Sequence, residues 1–180
     1  MKLFESMPRA IITVSVGIIF LIAIIVALPW IILGIGILLM PNPPSPEIRY
    51  GEFPFRLVYE IDGEEFVVED VFIAQYDGIG MNTGRGKYRR WKGWVESSGE
   101  STVVLVIDNN RRVYSSVGWA EYYMNDEISV RMEPLAPNIF MRYTDDAGTV
   151  NTIRHEELYI RYNIKLIDWK LSDPIVNSFN

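Results

Sequence analysis

Between Ala10 and Met40 the chain runs 31 residues, AIITVSVGIIFLIAIIVALPWIILGIGILLM, without one charged side chain. About 20 predominantly apolar residues cross a bilayer core. Helices buried in soluble domains are seldom apolar on every face for so long, so the run reads as a membrane span. A cleaved signal peptide is the competing reading, since Lys2 and Arg9 precede the run. Its apolar region stops after about 7–15 residues at a small-residue cleavage site, and neither feature is present. The segment 10–40 is therefore read as an uncleaved signal anchor, behind a short N-terminal stretch 1–9.

A straight helix of this length measures about 46 Å against a hydrocarbon core of ~30 Å, which tilt accommodates poorly. Pro29 lacks an N–H and clashes with the preceding turn, so a kink is expected near Leu28 to Trp30, with Gly34 and Gly36 loosening the rest. A two-pass hairpin turning at Pro29 is disfavoured, because Ile31 to Met40 is half the length a return leg needs. Lys2 and Arg9 precede the span, and the first cation after it is Arg49. The positive-inside rule then puts the N-terminus in the cytoplasm and the remainder outside.

Residues 41–47 form a Pro-rich linker, with Pro41, Pro43, Pro44 and Pro46 in its first six positions. Proline at this density stops a helix, and as an extended spacer it would reach about 19 Å. A rigid stalk and a simple helix stop both fit. From 48 to 180 the pattern has period 2, the signature of strands. Phe53, Phe55, Leu57, Tyr59 and Ile61 alternate with other residues, and Asp62-Gly63 supplies a type I′ turn into Glu64 to Asp70. Thr102 to Ile107 leads through Asp108-Asn109-Asn110 into Arg111 to Ser116. Asp145 to Gly148 separates Ile139–Thr144 from Thr149–His155.

A long final strand is expected, with Leu158, Ile160, Tyr162, Ile164 and Leu166 on one face and a β-bulge near Leu166 to Asp168. Only Gly118 to Met124 reads as a helical turn. The expected fold is an all-β domain, a sandwich or barrel of about seven to nine mostly antiparallel strands, behind one transmembrane helix.

Chemistry is constrained mainly by exclusion. A net charge of -6 argues against nucleic acid as a partner. Zero cysteines remove disulfides, thiolate metal sites and thiol nucleophiles, and one histidine, His155, completes neither a triad nor a zinc site. His155 reads as a surface residue. G-x-S-x-G and S-x-x-K are missing, so the common serine signatures are too. No cofactor, metal or catalytic residue is assigned. Carboxylates cluster at turns (Glu64, Glu65, Glu69, Asp70, Asp145, Asp146, Glu156, Glu157), and nothing selects a hydrolytic pair or a calcium loop.

The most unusual soluble stretch is Asp77 to Trp94, DGIGMNTGRGKYRRWKGW. A phosphate-binding loop is ruled out, since Met81 stands where a glycine is needed and Tyr88 where Ser or Thr is needed. What remains is a basic and aromatic cluster: Arg85, Lys87, Tyr88, Arg89, Arg90, Trp91, Lys92 and Trp94. As a site it would take an anionic polymer, lipid head groups or another protein surface. The ordinary reading takes precedence: Arg89, Arg90 and Lys92 pair with carboxylates across a sheet face, and the Trp rings fill the core.

The stretches FPFRLVYEIDGEEFVVED (Phe53 to Asp70), GKYRRWKGW (Gly86 to Trp94) and AEYYMND (Ala120 to Asp126), behind a single span, carry a resemblance. The chain resembles an uncharacterised group of small single-pass membrane-anchored proteins of Gram-positive bacteria. The resemblance implies this architecture and no activity. The expectation is a cell-membrane protein whose outer β domain acts in binding or assembly at the cell envelope. Its partners would be the bilayer and an anionic envelope polymer or another membrane protein. The alternatives are a carboxylate-based hydrolase of wall polymers and an accessory subunit of a membrane complex.

Overall fold

The computed structural model describes residues 9–108, 111–126, 138–143, 150–152 and 155–180, with side chains at 11–105, 112–126 and 157–180. Helix α1 (Arg9–Leu39) is followed by β1 (Tyr50–Ile61), β2 (Glu64–Asn82), β3 (Gly86–Val95), β4 (Thr102–Asp108) and β5 (Arg111–Ser116). Then come α2 (Ala120–Tyr123), β6 (Asn138–Tyr143), β7 (Val150–Thr152), α3 (His155–Tyr162) and β8 (Ile164–Lys170). The chain is thus an N-terminal apolar helix and a mostly antiparallel β region.

Two compact units emerge. One comprises α1, the residues after it up to Pro43, and Ile79–Tyr88; the other comprises Pro44–Gly78 and Arg89–Asn180. In the first, α1 is long and apolar enough to cross a membrane, and its helix runs on through Pro29. Its described side chains are exposed except Ile37. A helix apolar on all faces and uncovered by protein is matched to lipid rather than to water.

The second unit holds the core. Its strands join in the orders β3-β2-β1-β8 and β4-β5-β6-β7. Asp62 and Gly63 both take positive φ (52° and 86°) with Ile61 opposite Glu64, the turn that Asp-Gly favours. Period 2 in β1 then turns Phe53, Phe55, Leu57 and Tyr59 inward. They meet Phe72 and Ala74 of β2, Trp91 and Val95 of β3, Val103 and Leu105 of β4 and Val113 of β5 in one buried cluster. Each large side chain so buried contributes about 1.5–3 kcal/mol.

Tyr123, fully buried, stacks on Phe53 at 4.6 Å and tilts against Phe72 at 5.3 Å, so the short helix α2 serves mainly to deliver one ring. Its hydroxyl donates to the Val117 carbonyl. Burial raises the Tyr123 pKa well above 10.0.

The long final strand is corrected. His155–Tyr162 is helix, and β8 starts only at Ile164. Leu158 and Tyr162 are four apart, a spacing that satisfies both periods. Ile160 decides between them: a strand would bury it with Leu158, and it is 80% exposed. Asn163 ends the helix at φ 51°, its N–H donating to the Tyr159 carbonyl at 3.0 Å, as a left-handed cap does.

The expected bulge is present. Val58 opposes Asp168 and Tyr59 opposes Leu166, which leaves Ile167 unmatched.

The linker is not a free spacer over its second half. Ser45 N–H donates to the Asn180 carbonyl (2.8 Å) and Asn180 N–H back to Ser45 (3.0 Å), while Glu47 N–H reaches Ser178 at 2.9 Å. Pro46 bridges Phe179 in this short antiparallel contact. β4 and β5, and likewise β6 and β7, pair as the expected turns require. The turn residues 109–110 and 144–149 lie outside the described residues.

Candidate functional site

The basic and aromatic cluster falls on β3 and on the turn that precedes it, and the pleat divides it. Successive side chains of a strand point to opposite faces. Arg89 and Trp91 therefore go inward with Val95, while Arg90 and Lys92 go outward. The sequence presents one patch, and the strand makes it two.

The inward half is a structural clasp. Arg89 donates from Nε to Asp126 Oδ2 and from Nη2 to Asp126 Oδ1, both at 2.7 Å, and Trp91 Nε1 donates to the same Oδ2 at 2.9 Å. The guanidinium lies over the Phe179 ring at 4.1 Å and also donates to the Pro44 carbonyl at 3.3 Å. One cation thus holds β3, Asp126 in the segment after α2, the linker and segment 177–180. A fork so fully used has no face left for a ligand.

The outward half is a surface pair of cations on one carboxylate. Arg90 Nε stands 2.7 Å from Asp77 Oδ2, and Lys92 Nζ stands 3.1 Å from Oδ1. The Lys92 hydrogen bond, with Arg90 adding, holds the Asp77 carboxyl below its ordinary range. Trp94 is half-buried.

Arg85 lies in the turn between β2 and β3, and Lys87 and Tyr88 in the first residues of β3. Asn82 Oδ1 accepts from the Gly84 and Arg85 N–H groups (3.0 and 2.7 Å) and shapes this turn. Arg85 lies 5.7 Å from the Tyr88 ring centre. Lys87 Nζ donates to Asn42 Oδ1 at 3.0 Å. Among the described residues, no carboxylate pairs with Arg85 or Lys87.

A groove of about 580 Å³ opens between Pro54–Arg56, Glu69–Val71 and Lys170–Asp173. Two of its carboxylates are engaged: Glu69 by Arg56 at 3.1 Å, and Asp70 by the Val71 N–H at 2.7 Å and the Ser97 hydroxyl. Among the described residues, no group of three or more His, Asp or Glu side chains is placed to hold a metal ion. His155 begins α3, and its side chain, like Asp145, Asp146 and Glu156, lies outside those described.

Sequence reasoning missed Asp126 and Asp77 as the carboxylates that absorb the cations. They stand 37 and 13 residues from their partners, and no spacing rule links them. Comparison with protein-family models, curated proteins and solved structures finds no match to this chain.

Proposed function

We propose that this chain is a single-pass membrane protein with its N-terminus in the cytoplasm. In this reading residues 48–180 form a β-sandwich on the outer face of the cell membrane and act in binding or assembly at the cell envelope. The observation that carries the reading is α1, uncovered by protein and apolar on all sides, attached to a β region with its own core. Such a helix is stable only in lipid, and such a core needs no lipid.

The sandwich is favoured because side chains from both sheets enter one buried cluster. The orientation follows from Lys2 and Arg9 before the span against Arg49 beyond it. The resemblance to small membrane-anchored proteins of Gram-positive bacteria agrees with it. Its partners would be the bilayer together with an anionic envelope polymer or another membrane protein.

Protease shaving of intact cells tests the placement. An epitope inserted after Gly99, in the exposed turn between β3 and β4, is expected to be lost on shaving. Its survival until the cells are lysed would reverse the topology and remove the envelope role.

A further inference from the structure

Two cations of the basic cluster, Arg85 and Lys87, remain after the clasp and the surface pair are accounted for, and they belong to the end of the β2–β3 hairpin, which also carries exposed apolar side chains. On β2, Ile79 and Met81 are 37% and 53% exposed. Within its own unit this hairpin end lies against the end of α1. Gly86, at φ 71°, comes so close to Met40 that an added Cβ would stand 2.9 Å from its sulfur, and Lys87 is bonded to Asn42. The contact needs both the left-handed backbone and the missing side chain, which only glycine supplies together. Ile37, about one turn before Met40, is the buried one among the described side chains of α1.

Depth follows from length. With 31 residues, α1 is about 46 Å long, close to the ~40–45 Å of a bilayer including its head groups. Met40 and Asn42 then stand at head-group level, and the hairpin end held against them stands there too. At that depth the Arg85 guanidinium and the Lys87 ammonium, which pair with no carboxylate among the described residues, would meet lipid phosphates, with an acyl boundary within reach of Met81.

We propose that the end of the β2–β3 hairpin is a foot resting on the membrane surface, in which Arg85 and Lys87 take the phosphates of anionic lipid head groups and Met81 enters the interface. The proposal rests on α1 being a membrane anchor. Lipid is favoured over a wall polymer because the hairpin end is fixed beside the last residues of the span, below the level a polymer outside the head groups would occupy.

Since the chain has no native cysteine, Met81→Cys accepts a single environment-sensitive fluorophore on the full-length protein. The labelled chain is reconstituted in vesicles of phosphatidylglycerol or of phosphatidylcholine, and quenching by a head-group spin-labelled lipid is read. Quenching is expected to be strong in phosphatidylglycerol, to weaken at high salt, and to weaken with R85Q/K87Q but not with R85K/K87R. Two surface cations correspond to about a 30-fold change in the bound fraction's equilibrium constant.

Equal quenching in both lipids, or quenching unchanged by R85Q/K87Q, would overturn the foot while leaving the anchor intact. So would a label that responds to added soluble polyphosphate and not to lipid charge. Flotation of the chain with the vesicles reads the anchor separately, and its loss would overturn both.

Discussion

Arg89 and Asp126 form a bidentate ion pair, 2.7 Å at both contacts, with side-chain exposures of 9% and 2%. As the ordinary reading of the cluster expects, this most basic strand spends its central cation on the fold. Trp91 donates to the same carboxylate, so Asp126 is a three-donor acceptor at the base of β3. The pair explains why an acidic chain tolerates a run of five cations: the run is partly internal wiring.

Removing one partner of such a pair leaves a buried charge uncompensated. Asp126→Asn is expected to destabilise the β region by about 3–5 kcal/mol. Urea unfolding of the detergent-solubilised chain, followed by tryptophan fluorescence, measures it. Arg89→Met combined with Asp126→Leu should cost less than the sum of the single changes, because the charges leave together. Additive costs would mean the two residues act independently.

Stability should fall as pH rises above 10. Tyr123 ionises near 10.0 when unfolded and well above that when buried, so beyond pH 10 the unfolded chain loses a proton that the folded chain keeps. The contribution is fully present below the unfolded pKa and is lost on the alkaline side. Tyr123→Phe should flatten this decline while costing about 0.5–1.5 kcal/mol at neutral pH, from the lost bond to the Val117 carbonyl. Tyr59, also raised by burial, leaves some decline in place. Urea midpoints compared across neutral and alkaline pH give the test, and identical slopes for the two proteins would contradict it.

The reassignment of His155–Tyr162 to helix predicts opposite outcomes at two neighbours. Ile160→Lys, at an exposed position, should change stability by no more than about 0.5 kcal/mol. Leu158→Ala, in the core, should cost about 2–5 kcal/mol. If the segment were a strand with both residues on one face, the two substitutions would be comparably damaging. Thermal melts of the two variants separate these cases.

The strands were legible where the period was unambiguous. Phe53 to Ile61 alternates cleanly, and Asp62-Gly63 admits few conformations other than the one seen. The Ile167 bulge was legible too, as a jump in apolar phase. Residues 155–162 misled because an i, i+4 pair also fits period 2, and the deciding fact, the exposure of Ile160, is tertiary.

The site was half legible. That Arg89, Arg90 and Lys92 meet carboxylates follows from charge balance in an acidic chain. Which carboxylates they meet does not, since Asp77 and Asp126 are brought in by β2 and by the residues after α2. The placing of Arg85 needed the turn at Asn82, and that of Lys87 the contact of Gly86 with Met40. Neither leaves a pattern in the sequence.

The central claim is that α1 spans the membrane and the β region lies outside it. With no native cysteine in the chain, two single-cysteine variants read both sides at once: Ser6→Cys before the span and Ser101→Cys in the exposed segment before β4. A membrane-impermeant maleimide applied to intact cells should label Ser101→Cys at once and Ser6→Cys only after lysis. Labelling of Ser6→Cys alone in intact cells, or recovery of either variant in the soluble fraction, would contradict the account.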